Sequence, residues 1–174
     1  MRATPAGGPF IVKGASLSLQ TAVSLAEIRV LKQFDAGAHL ALSLYLDLGS
    51  VAERAGVRER VLSKLAMGTA SGVEERSALL VPGPGISPAQ RQELEEDLDM
   101  VQLYARTSAG SRSPFVAIFS CAPQFFWRVY HLDMPVVDAA YVGRRFQVEP
   151  LEKMLSAAGM QLEEEGFAAP MGIC

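Results

Sequence analysis

Cysteine and histidine are scarce in this chain of 174 residues. The two cysteines, Cys121 and Cys174, stand far apart and make neither a disulfide framework nor a zinc quartet. Two histidines, His39 and His131, exclude a His-rich metal centre, so no metal or other cofactor is expected. Long apolar runs are missing too. The longest, residues 115–122, is interrupted by Ser120 and falls far short of the ~20 residues a membrane-spanning helix requires, so no membrane partner is expected. The opening Met1-Arg2-Ala3-Thr4-Pro5-Ala6-Gly7-Gly8-Pro9 has glycine and proline where a signal peptide needs its apolar stretch. The expected compartment is therefore the cytoplasm. Net positive charge is also lacking. A formal charge of −3 argues against a generic basic nucleic-acid binder, and no DNA partner is expected.

What is present is enough for a core. Hydrophobic residues make up 49% and charged residues 20%, which excludes global disorder and fits one domain. Of the 16 basic residues, 12 are arginine, whose planar fork suits phosphates and carboxylates. The charge is uneven: residues 100–148 carry five Arg against two Asp, whereas residues 87–99 and 149–174 are acidic. A local basic face on an acidic protein is the expectation.

Periodicity and caps divide the chain. Residues 1–16 read as a flexible leader, 17–159 as the folded domain and 160–174 as a tail. Ser24-Leu25-Ala26-Glu27 is a capping box that opens a helix to about Phe34, with Gly37 expected to end it. Leucines alternating with Ala, Ser, Tyr and Asp over 40–47 predict a strand with one strongly apolar face. A single helix is expected over 51–66, burying Val57, Val61 and Leu65. Residues 68–76 read as a loop and 77–81 as a short strand before Pro82-Gly83-Pro84-Gly85. Ser87-Pro88-Ala89-Gln90 then starts a helix to Thr107 that buries Leu94, Leu98, Val101 and Ala105. Its Glu93, Glu95, Glu96, Asp97 and Asp99 read as mostly the solvated side. A hairpin is expected from strands 114–121 and 125–132, then a strand over 136–142 and a helix over 150–158 with Gly159 as its cap. The order predicts an α+β fold: a mixed, largely antiparallel sheet with helices packed against it.

Few residues offer chemistry. Cys121 and His131, on neighbouring strands, would form a nucleophilic pair only if they faced each other in an accessible cleft. His39 reads as a strand-end histidine, and Asp47 as the first residue of an Asp-Leu-Gly-Ser turn. Neither Gly7-Gly8 nor Pro82–Gly85 is followed by the Lys-Ser/Thr of a phosphate loop. Arg144-Arg145, between Gly143 and Phe146, is the best phosphate-contact candidate, because a basic pair beside an aromatic can hold a backbone and stack a base.

Two stretches together resemble a known family. Ala41-Leu42-Ser43-Leu44-Tyr45-Leu46-Asp47-Leu48, after its short capped helix, resembles the first-strand signature of bacterial proteins akin to archaeo-eukaryotic release factors. Phe115-Val116-Ala117-Ile118-Phe119-Ser120, the strand over 125–132, Tyr141-Val142-Gly143 and Pro150-Leu151 resemble the end of that family's N-terminal domain. The similarity runs over roughly residues 20–158. In class I members this domain reads the stop codon in the ribosomal A site, and a separate middle domain carries the Gly-Gly-Gln that promotes peptidyl-tRNA hydrolysis. Gly-Gly-Gln occurs nowhere in this chain, so the resemblance implies a non-catalytic domain and not an enzyme.

The decoding motifs also differ. The family's Thr-Ala-Ser-Asn-Ile-Lys-Ser loop stands here as Gly68-Thr69-Ala70-Ser71 followed by Gly72-Val73-Glu74-Glu75-Arg76, without its Asn and Lys. Tyr-x-Cys-x-x-x-Phe stands as Tyr141-Val142-Gly143-Arg144-Arg145-Phe146, one residue short and without Cys, and Gly-Thr-Ser as Ala38-His39-Leu40. What the resemblance implies is a role in translation termination or ribosome rescue, facing ribosomal RNA or tRNA through Arg144 and Arg145, with no implied codon reading. The rival expectation is a protein-interaction domain of the same fold, anchored by Phe125, Phe126 and Trp127 and binding no RNA.

Overall fold

A computed structural model describes residues 19–20, 23–67, 86–108 and 113–158. In chain order the elements are β1 (Leu19–Gln20), α1 (Leu25–Gln33), β2 (Ala41–Asp47), α2 (Val51–Ala55), α3 (Val57–Met67), α4 (Pro88–Thr107), β3 (Phe115–Cys121), a 3-10 turn (Ala122–Gln124), β4 (Phe126–Leu132), β5 (Ala139–Gly143) and α5 (Glu149–Ala157). The strands form one sheet in the order β1-β4-β3-β2-β5. β1 runs parallel to β4, and every other neighbouring pair is antiparallel. This is the mixed, largely antiparallel sheet with helices packed against it that the element order predicts.

Register fixes what each face buries, because side chains alternate along a strand and paired residues share a face. Leu44 pairs with Ile118, and Ile118 with Val129. These residues join Leu42, Leu46, Val116 and Val142 under Val57, Val61 and Leu65 of α3 and Leu94, Leu98, Val101 and Ala105 of α4. The opposite face places Ala41, Tyr45, Ala117, Phe119 and Tyr130 under Ile28 and Leu31 of α1 and Leu151 of α5. The expectation of one apolar face on β2 is therefore corrected: six of its seven residues are buried, because helices cover the sheet on both sides. Tyr45 and Ser43, which look polar in sequence, satisfy their hydroxyls there. Tyr45 Oη donates to the Gln147 carbonyl at 2.8 Å, and Ser43 Oγ accepts from Gln147 N at 2.9 Å.

The caps hold, with adjustments. Both capping-box bonds form at α4, Gln90 N to Ser87 Oγ and Ser87 N to Gln90 Oε1, each 3.1 Å. At α1, Ser24 Oγ accepts from Glu27 N at 3.2 Å, while Glu27 Oε2 accepts from Tyr130 Oη at 2.6 Å. Gly37 does not end α1. The helix stops at Gln33 with Phe34 extended as its cap, and Gly37 (φ 65°) makes the next turn, where its N–H bonds Asp35 Oδ1.

The single helix expected over 51–66 is two, broken at Gly56. Its reason lies on α4: Gln102 Oε1 accepts from Arg58 N at 3.1 Å, and Gln102 Nε2 donates to the Arg54 carbonyl at 2.9 Å. Those two backbone groups would bond each other in a continuous helix. β5 begins at Ala139 and not at 136, and α5 is capped by Ala158 and not by Gly159. β1 was not anticipated. The predicted loop 68–76, strand 77–81 and Pro82–Gly85 breaker, with the leader and the tail, lie outside the described residues.

Candidate functional site

β2 begins, β3 ends, β4 begins and β5 ends at the same end of the sheet. Three connections therefore converge there: residues 34–40, the turn 122–125 and residues 144–148. Aromatic rings fasten them together. Phe146 stacks on Phe34 with centroids 4.5 Å apart, Phe126 lies 4.6 Å from Phe34, and Phe126 lies 5.0 Å from Phe146. Backbone and side-chain bonds add to this: Ala36 N donates to the Arg144 carbonyl at 2.8 Å, and Gln124 Nε2 to the Asp35 carbonyl at 3.3 Å.

Arg144 and Arg145 project outward from this knot, with side chains 69% and 68% exposed. Arg144 Nε donates to Asp35 Oδ1 at 2.7 Å, and Arg145 Nη2 lies 3.8 Å from Asp35 Oδ2. The Arg144 hydrogen bond holds the Asp35 carboxyl below its ordinary range, and the same bond raises the Arg144 guanidinium. One carboxylate thus faces two guanidiniums, leaving a net positive turn on an otherwise acidic chain. Arg128 lies close by, its guanidinium 5.2 Å from the centre of the Phe126 ring. Phe146 is buried, which corrects its expected role: it anchors the arginine turn in the core and offers no face to a base. Asp35, which organises the pair, was missed in the sequence; no short-range pattern ties it to residues more than a hundred positions away.

The remaining candidates separate. Cys121 pairs with Phe126 and His131 with Val116, at opposite ends of the β3–β4 ladder and on opposite faces of the sheet. Burial also pushes the Cys121 thiol up to about 11, so this pair forms no nucleophile. His131 Nε2 instead lies 3.3 Å from Tyr104 Oη. His39 Nδ1 lies 2.9 Å from Glu93 Oε1 on α4, and Asp47 Oδ1 accepts from Gly49 N at 2.9 Å, the turn chemistry expected of it.

Within the acidic run of α4, Asp97 is not solvated. It is buried against the sheet, accepting from Ser120 Oγ and, at 3.0 Å, from Ala122 N. Glu93 is half-buried. Glu95 and Asp99 hold Arg58. Among the described residues no three His, Cys, Asp or Glu side chains are placed to hold a metal ion. No described helix is long and apolar enough to cross a membrane.

The three aromatics of the hairpin also divide. Phe126 and Trp127 pack against the two opposite cores, Trp127 edge-on to Tyr104 at 6.1 Å. Phe125 is not part of β4, where the sequence placed it. It sits in the turn with φ 52° and is 89% exposed. No family model matches the chain, and no curated protein matches it.

Proposed function

We propose that this chain is a non-catalytic, release-factor-like domain that faces ribosomal RNA or tRNA in translation termination or ribosome rescue. The observation that carries the reading is the arginine turn: two exposed guanidiniums on a backbone fixed by a buried ring and by Asp35. A phosphate backbone recognises such a turn by charge, and the rigid base keeps both cations at one place. The resemblance of residues 20–158 supplies the translational context, and within these residues no Gly-Gly-Gln stands.

Sedimentation with ribosomes at low and at raised salt tests this. Binding that weakens with salt, and weakens again in the Arg144→Ala/Arg145→Ala double variant, is the expected result. Binding that ignores both salt and the double substitution removes the arginine turn as the contact. The rival reading, a protein-interaction domain without RNA, now rests on Phe125 alone of its three anchors, since Phe126 and Trp127 are packed. Salt-insensitive attachment that depends on Phe125 would favour it.

A further inference from the structure

Phe125 is held where a solvent-driven chain would not leave it. It is the only described non-glycine residue with a left-handed backbone, and its ring is the most exposed large hydrophobic side chain described. Both features are unfavourable in isolation. The surroundings enforce them: Phe125 N donates to the Ala122 carbonyl at 3.0 Å, closing the turn, and Phe126 is drawn inward against Phe34 and Phe146. With its neighbour turned in, Phe125 is turned out.

The turn also fixes what stands beside the ring. Gln124 and Arg144 both bond Asp35, one to its carbonyl and one to its carboxylate. The rings of Phe126 and Phe146, which directly follow Phe125 and Arg145 in the chain, are 5.0 Å apart. Two exposed guanidiniums and one exposed ring therefore stand at the same end of the sheet. Single-stranded nucleic acid is bound by aromatic rings set in positively charged surroundings. Here the tied neighbours are Gln124, Asp35, Arg144 and Arg145, which is the composition that takes a phosphate together with a π-face.

We propose that Phe125 is the stacking platform for an unpaired nucleotide of RNA whose flanking phosphates lie on Arg144 and Arg145. This rests on the RNA-facing reading above and adds to it the residue that recognises a base and the class of ligand, single-stranded RNA. Stacking is indifferent to base identity, since every base has a π-face, so the site should prefer unpaired over duplex RNA without strong sequence preference.

The test uses the full chain and two fluorescent probes, a short single-stranded uridine oligonucleotide and an abasic oligonucleotide with the same number of phosphates. Wild-type protein should bind the uridine probe roughly tenfold or more tightly than the abasic one. Phe125→Ala should lose that preference while keeping abasic binding, and Phe125→Trp should restore it. Arg144→Ala/Arg145→Ala should weaken both probes together. Melting temperatures no lower than that of the wild type establish that each variant is folded, and Phe125→Gly, which suits the left-handed backbone, serves as a second ring deletion.

Equal binding of the two probes by wild type, or a preference that survives Phe125→Ala and Phe125→Gly, overturns the stacking role and leaves the arginine contact standing. If neither probe binds and ribosome sedimentation ignores the arginine variant, the RNA-facing reading itself falls. Ribosome attachment that is salt-insensitive and lost in Phe125→Ala, with no oligonucleotide binding, would assign the ring to a protein partner and overturn the proposal.

Discussion

Asp97 shows how one burial decision changes the chemistry of a side chain. On α4, Glu95 and Asp99 reach Arg58 and Glu93 reaches His39, whereas Asp97 turns inward, where burial pushes its carboxyl up to about 6 despite the hydrogen bonds it accepts from Ser120 and Ala122. Glu93 and Glu96 add like-charge repulsion in the same direction. The unfolded chain ionises this group near its ordinary value, so between about pH 4 and about pH 6 the folded state holds a proton that the unfolded state has released. Stability therefore falls as pH rises through that window, by roughly 3 kcal/mol if the whole shift is expressed. Asp97→Asn should flatten the dependence and raise stability above about pH 6, read from urea midpoints across pH; parallel curves for wild type and variant would refute this. At Phe125 the left-handed backbone costs about 1–2 kcal/mol for a residue with a Cβ. Phe125→Gly should recover part of that, less what glycine's freer unfolded chain costs, as a higher melting temperature in calorimetry than Phe125→Ala shows.

Elements are set by their ends and by what docks on them. Ser87 and Gln90 satisfy two of the donors at the start of α4 that no helical carbonyl reaches, so Ser87→Ala should cost about 1 kcal/mol in chemical denaturation. The α2–α3 break is a different case. Gly56 (φ −101°) needs no left-handed freedom, and a Cβ there would meet the Ala52 carbonyl oxygen at an ordinary 3.6 Å. Gly56→Ala should therefore be tolerated with the break intact. Gln102→Leu removes both partners of the Arg54 carbonyl and the Arg58 amide, and is expected to cost about 1–3 kcal/mol with an unchanged m-value. A larger loss from Gly56→Ala than from Gln102→Leu would place the cause of the break in the glycine.

Over the whole molecule, charge is distributed unevenly. The chain is acidic overall, yet at the end of the sheet that gathers residues 34–40, 122–125 and 144–148 Arg144 and Arg145 share the Asp35 carboxylate, while Glu93 is held by His39 and Asp97 is buried on Ser120 and Ala122. If both arginines contact phosphate of single-stranded RNA, the magnitude of the slope of log affinity against log salt should fall by about 1.4 in the double alanine variant. Binding to RNA measured from low to moderate salt checks it; an unchanged slope would show that neither cation releases a counterion.

Local rules determined much of this protein from its sequence. The strand over 41–47, the Ser87–Gln90 cap, the buried stripe Leu94, Leu98, Val101 and Ala105, and the hairpin about Pro123 each depend on residues a few positions apart, whose geometry is fixed by helix or strand period. The exposed turn at residues 144–145 was legible for the same reason, as an adjacent charged pair after Gly143. What needed the tertiary structure is whatever depends on distant partners: Gln102 entering the ladder between Arg54 and Arg58, Asp97 turned onto Ser120, Asp35 between two arginines, and Cys121 and His131 sent to opposite faces. Register decides these, because a shift of one residue along a strand exchanges its faces, and no local pattern encodes which residue of one strand lies opposite which residue of the next.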